Sequence, residues 1–168
     1  MRLRVLIVIA VLAGSTGQAQ KTPFSADSVR APLKLLDFAT TDGTWIGVDV
    51  SPDGRRIVFD LLGRLYELPI AGGEAIELTH GRSYDHLPRY SPDGTKILFT
   101  SDRGGKEAVW LLHRGTDSLE QVSRLDHRAF QASWSPDGRW IYHTGMDLGA
   151  RYSAYRVDLL GSTTEFAN

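Results

Sequence analysis

The sequence predicts an all-β chain: a β-propeller segment of about three four-stranded antiparallel blades, an incomplete ring, preceded by a signal peptide. Two observations carry this. The tetrapeptide Ser-Pro-Asp-Gly occurs three times, at Ser51, Pro52, Asp53 and Gly54, at Ser91, Pro92, Asp93 and Gly94, and at Ser135, Pro136, Asp137 and Gly138, spaced by 40 and 44 residues. Each copy is flanked by short runs rich in β-branched and aromatic residues, and self-similarity at this period with several short strands per unit marks propeller blades.

Taken in chain order, the first segment is an address. Arg2 and Arg4 form a positive start, Val5 to Ala13 an apolar run, and Gly17, Gln18 and Ala19 a small-x-small cleavage site, so residues 1–19 read as a secretory signal peptide. The apolar run is far shorter than the roughly 20 residues a membrane-crossing helix needs. No later segment reaches that length, so no membrane span is expected after cleavage. Residues 20–42 read as a leader or linker: polar and proline-punctuated at first, then a short apolar run from Leu33 to Ala39.

Residues 43–162 hold the three repeats, at about 43–82, 83–126 and 127–162. In each, proline pre-sets φ at the second turn position, aspartate bonds the local backbone and glycine accepts positive φ, so the tetrapeptide closes a tight hairpin. The strand before the hairpin is Ile46 to Val50, Leu87 to Tyr90 and Phe130 to Trp134; the strand after it is Arg56 to Leu61, Lys96 to Thr100 and Trp140 to Thr144. A third strand follows at Arg64 to Pro69, Ala108 to His113 and Ser153 to Val157, each with one aromatic residue. The fourth is expected at Ala75 to Thr79 and Leu119 to Ser123. In the third repeat no closing strand is legible, and residues 163–168 read as a tail.

These residues resemble a known family. The three tetrapeptides, the Ile-x-Phe that follows two of them and the run Ala71 to Thr79 look like the WD-like repeats of TolB-type and Tricorn-type β-propellers. The stretch from Gly43, Thr44 and Trp45 to Gly105 resembles more narrowly the N-terminal propeller of exported amidohydrolase-family proteins. The resemblance implies that a metal-dependent hydrolase domain can follow such a propeller; no part of one is visible in this sequence. His143 departs from the pattern, standing where the first two repeats have Phe59 and Phe99.

Composition narrows the chemistry. Nineteen Lys and Arg against 20 Asp and Glu give a net charge of -1, and losing Arg2 and Arg4 makes the mature chain more acidic. Nucleic-acid binding needs a concentrated positive field and is not expected. With no cysteine, thiol nucleophiles and thiolate metal sites are excluded, and stability must come from core and sheet ladders.

No catalytic residue, metal ligand or cofactor site is expected. The five histidines, His80, His86, His113, His127 and His143, lack the His-x-His or i, i+4 spacing that brings two imidazoles to one ion. Ser51, Ser91 and Ser135 occur in triplicate before proline, which suits a turn and not a nucleophile with one base and one oxyanion hole. The pairs Asp85-His86 and Asp126-His127 are the weak candidates for ligand contact, at a channel mouth; the commoner reading gives them turn and cross-blade hydrogen bonds. Strand aromatics, Trp45 among them, are expected to pack between blades, and Arg55, Arg56, Arg139 and Arg151 to be solvated edge charges.

The sequence thus points to an exported module, periplasmic or extracellular, that binds or scaffolds through its loops. The alternative is the front of a larger exported amidohydrolase or Tricorn-type hydrolase. Expected partners are another protein, remaining blades or a catalytic domain, or a second copy of the chain.

Overall fold

The computed structural model describes residue 43, residues 45–123 and 127–160, and the backbone of 163–166. The expected signal peptide, the leader and Asp126 lie outside the described residues. Twelve strands are present among the described residues: β1 Val48–Val50, β2 Arg56–Leu61, β3 Arg64–Pro69, β4 Ile76–Glu77, β5 Asp85–Tyr90, β6 Lys96–Ser101, β7 Ala108–His113, β8 Ser118–Gln121, β9 Arg128–Trp134, β10 Trp140–Met146, β11 Tyr152–Asp158 and β12 Thr163–Phe166. They form three antiparallel four-stranded meanders, β1-β2-β3-β4, β5-β6-β7-β8 and β9-β10-β11-β12, here called blades 1 to 3.

One expectation is corrected. The third blade has its closing strand: Thr163–Phe166 runs antiparallel to β11, with Phe166 opposite Tyr155 and Thr163 opposite Asp158. An outermost strand needs backbone ladder bonds more than an apolar face, so Thr-Thr-Glu carries little sequence signal for it.

The blades stack face to face. Strand side chains alternate between faces, so β2 turns Val58 toward blade 2 and Phe59 away from it. Val58 and Leu65 of blade 1 pack with Tyr90, Ile97, Phe99 and Leu112 of blade 2. Leu98, Val109 and Leu111, on the other face of blade 2, pack with Ala129, Ile141 and Val157 of blade 3. β6 is buried on both faces, as only a middle blade can be.

A charged lock crosses the first seam. The Glu67 carboxylate is buried and accepts hydrogen bonds from Arg56 at 2.9 Å within its blade, and from Arg114 and the Tyr90 hydroxyl, both at 2.7 Å, in the next blade. Burial, then the Glu67 acceptor, raises the Tyr90 phenol above its ordinary range. Arg56 remains an exposed edge charge, as expected, and is in addition tied to the buried Glu67. Arg139 and Arg151 are likewise paired, with Asp158 at 2.8 Å and Asp147 at 3.0 Å.

Candidate functional site at the loop end

An antiparallel meander sends its chain reversals to two ends. The hairpins β1–β2, β5–β6 and β9–β10, with the β3–β4 and β7–β8 turns, lie at one end, the turn end. The β2–β3, β6–β7 and β10–β11 hairpins and the links between blades lie at the other, the loop end.

At the turn end the three tetrapeptides are built alike. Gly54, Gly94 and Gly138 sit at φ 69°, 70° and 72°, the left-handed region that suits glycine. Ser51, Ser91 and Ser135 donate to Asp53, Asp93 and Asp137 at 2.6, 2.6 and 2.5 Å. Each serine oxygen then accepts the amide of Arg56, Lys96 or Trp140, at 2.9, 2.9 and 2.8 Å. The serine hydroxyl, and next the amide two residues on, hold each aspartate below its usual range, Asp93 at about 2. The serine hydroxyl and one aspartate oxygen of each tetrapeptide are thus engaged in closing its turn.

The loop end differs in each blade. Blade 1 turns on Leu62 and Gly63 alone, both at positive φ, which is the two-residue hairpin that matches strand twist. Blade 2 uses residues 102–107, and blade 3 uses residues 147–151. The third loop is held by Asp147, whose Oδ1 accepts the amides of Gly149 at 2.8 Å and Arg151 at 3.0 Å.

The candidate residues start the inner strands at this end. Asp85 is buried, and its oxygens accept from the Ser101 hydroxyl at 2.5 Å and from Arg103 at 2.6 Å. Arg103 is in turn laid over the rings of Phe99 and Trp110, each at 5.5 Å. The Asp85 carboxylate is thus consumed inside blade 2 and faces no ligand space. His86 is half-buried, its Nε2 3.6 Å from Glu107 Oε1, and its ring lies 5.0 Å from that of Tyr84. Glu107 also pairs with Arg128 of blade 3.

His127 is buried in a stack of three rings, 4.2 Å from Tyr155 and 5.6 Å from His143, with His143 and Tyr155 5.2 Å apart. The stack requires Gly145, since a Cβ there would lie 2.4 Å from the Tyr155 ring and 2.6 Å from that of His127. Burial lowers the His143 pKa to about 4, so at neutral pH the His143 imidazole is uncharged. The histidine in the phenylalanine position thus behaves as an aromatic packing group.

Over this floor opens a cleft of about 680 Å³ between blades 2 and 3, lined by Tyr84, Glu107, His127, Arg128, Met146 and Leu148 among others. Of the sequence candidates, His127 lines it, His86 lies beneath Tyr84 and Asp85 stays in the blade. Its rim exposes apolar side chains beside charged ones such as Lys106: Leu148 is 94% and Tyr84 55% accessible, and on the same end of blade 1 stand Trp45 at 97% and Leu62 at 71%. Trp45 therefore does not pack between blades as its aromatic character suggested. The rim was not legible in the sequence, because a lone Leu or Trp beside a turn reads the same whether covered or bare. The turn end exposes Ile70 and Leu160, on blades 1 and 3, with blade 2 between them.

Among the described residues no group of three His, Asp or Glu side chains is placed to hold a metal ion, and no helix is long and apolar enough to cross a membrane.

Comparison with known proteins agrees with this architecture. The family profile of PD40, the TolB beta propeller domain, matches residues 36–166. The chain is 29% identical over 167 residues to the Tol-Pal system protein TolB of Nitratidesulfovibrio vulgaris, covering 86% of this chain and 35% of that one. It is 31% identical over 135 residues to the uncharacterized peptidase YuxL of Bacillus subtilis, covering 74% and 19%. The crystal structure of TolB from Acinetobacter baumannii superposes with a TM-score of 0.66 at 21% identity, covering 76% of this chain and 33% of that one. The chain thus spans about a third or less of the length of these relatives.

Proposed function

The chain belongs to the TolB β-propeller family, PD40, and from that premise we propose that it is an exported propeller module for protein recognition, with the loop end as its contact surface and no catalytic residue of its own. The observation that carries this is the loop-end cleft, where exposed Leu148 and Tyr84 stand over the ring stack of His127, beside charged side chains that already have partners within the chain. Glu107 with Arg128, Asp147 with Arg151 and Asp102 with the Tyr84 amide are paired before any partner arrives. A partner would therefore gain by covering the rim without stripping unpaired charges, the arrangement in which a few apolar anchors dominate affinity. Loops on a rigid sheet frame supply such surfaces at little ordering cost. Export, to the periplasm or beyond, rests on the residues of the first segment. The Nitratidesulfovibrio relative is by name a protein of the Tol-Pal system, and a partner of that protein class is the corresponding proposal here.

The test is affinity capture from the source organism with the wild-type chain and with a Tyr84→Ala, Leu148→Asp double variant. The reading expects a protein retained by the wild type and lost, at least tenfold, by a variant whose melting temperature is unchanged. Equal retention by both would overturn it.

A second reading is favoured by the share of its relatives that the chain spans and by the peptidase name of the Bacillus relative. In it, these blades are the propeller part of a larger exported hydrolase, of the amidohydrolase or Tricorn type. Reading the gene past the codon for Asn168 decides it: a hydrolase domain in frame supports this reading, and a stop codon overturns it.

A further inference from the structure

The two seams between blades are built on one plan at the loop end, with one exchange of chemistry. Phe99 of blade 2 and His143 of blade 3 each stand eight residues after the serine of their tetrapeptide. Each faces an aromatic partner across its ladder, Trp110 or Tyr155. In blade 2 a permanent cation lies over this pair: Arg103, 5.5 Å from both rings, with Asp85 at 2.6 Å as its counter-ion. In blade 3 an imidazole takes that place: His127, 4.2 Å from Tyr155 and 5.6 Å from His143. The position of Asp85, six residues before the serine, is held there by Ala129. Blade 2 thus carries a fixed and compensated charge over its rings, whereas blade 3 carries two rings that become charged only in acid.

A proton on His143 has nowhere to go. The residue is buried, its Nδ1 lies 3.4 Å from the Thr144 carbonyl, and its Nε2 has no hydrogen-bond partner among the described residues. An imidazolium there is a desolvated charge whose second N–H lacks an acceptor. The titratable and charged groups around the stack are His127 and Tyr155 within it, Arg128 and Asp147 of blade 3, and His86, Asp102, Lys106 and Glu107 of blade 2. Burial is the main cause that holds His143 neutral; the Thr144 carbonyl works against it, and the like charge of His127 adds to it. Gly145 leaves the rings no room to shift within the blade, so relief lies toward the cleft above them. The same backbone hydrogen bond crosses both seams at this end, from the Asp85 amide to the Gly63 carbonyl and from the Ala129 amide to the Glu107 carbonyl, each at 2.9 Å.

We propose that the seam between blades 2 and 3 is an acid-sensitive joint: protonation of His143 opens blade 3 from blade 2 at the loop end and releases the Ala129–Glu107 bond, while the seam beneath Arg103, between blades 1 and 2, stays shut. Opening hydrates the imidazolium and separates it from His127, which is what the closed stack denies it. The device lies in the frame under the cleft and does not depend on what the cleft contacts, so it stands or falls separately from recognition at the loop end.

Amide hydrogen exchange of the full chain, followed by NMR and corrected for intrinsic rates, reads the opening of the two cross-seam bonds side by side. A histidine that titrates near 6.5 when released and at about 4 when enclosed raises the opening ratio of the Ala129 amide about twentyfold between pH 7 and pH 5. Low urea should leave that opening unchanged, as a local event requires. The urea-independent opening of the Asp85 amide should change less than about twofold over the same range. In a His143→Phe chain, which carries the residue of the other two blades, the Ala129 amide should behave like that of Asp85. A wild-type Ala129 opening that is flat between the two pH values, or that occurs only by urea-dependent unfolding, overturns the proposal without recourse to the variant. The same rise in His143→Phe overturns it as well.

Discussion

The two ends of the arc are made by the same meander, and only one of them repeats. At the turn end, three hairpins share one sequence, one glycine conformation and one set of serine and aspartate bonds. At the loop end, the three hairpins differ in length and chemistry, from the two residues Leu62 and Gly63 to the Asp147-anchored loop of blade 3. A feature repeated in every blade answers to a need every blade has, which is to reverse the chain and register it against its neighbour. The loop-end hairpins reverse the chain too, but each in its own way, and it is there that exposed apolar residues stand beside a cleft. The difference marks the turn end as scaffold and is the ground on which the loop end is proposed as the contact surface.

The comparison sharpens first beneath the cleft, where a loop-end group is structural. His143 has a folded pKa of about 4 against 6.5 when unfolded. Between those values the unfolded chain binds a proton that the native chain does not. Stability is therefore full above about pH 6.5 and falls as the pH drops toward 4, by roughly 3 kcal/mol from this residue. A His143→Phe chain should lose that slope in urea titrations at pH 7 and pH 5, and an unchanged slope would show that the ring stack does not carry it.

Next in size, Gly145→Ala would force a methyl group into the rings of Tyr155 and His127 and should cost about 2 kcal/mol in the same titration. At the turn end, Ser91→Ala removes the acceptor of the Lys96 amide and the donor to Asp93. It should cost about 1 kcal/mol, with Ser51→Ala and Ser135→Ala costing the same within a few tenths. A spread of several kcal/mol among the three would break the claim that the turns are equivalent. Smallest of all, Leu148→Ser should change stability by less than about 0.5 kcal/mol, because the side chain is almost wholly in solvent.

Much of the scaffold was legible because its signals are local. The second and third strands of blade 1 begin and end where the alternation of Arg56 to Leu61 and Arg64 to Pro69 places them. The inner strands were harder. β5 and β9 begin two residues earlier than their apolar runs, and each contains a residue at positive φ, Leu87 at 55° and Gln131 at 54°. β5 shifts register across Leu87, and the β9–β10 pairing shifts between Tyr142 and Thr144. Neither residue is a glycine, so nothing in the sequence marks the irregularity. Glu67 shows the same limit. Alternation with Leu65 puts it on an inward face, but its partners Tyr90 and Arg114 are 23 and 47 residues away. The candidate site was legible only in part: of the residues singled out, His86 and His127 stand at the loop end, yet Asp85 is spent inside its blade, and the rim residues carried no pattern at all.

The claim that the loop end is the contact surface is tested most directly by site-specific photo-crosslinking in the source organism. A photoreactive residue is placed in turn at Leu148 and Tyr84 of the loop end, and at Thr95 and Arg55 of the turn end. The account predicts that the same protein adduct forms from both loop-end positions and from neither turn-end position. The same adduct formed equally from both ends, or from the turn end alone, would contradict it.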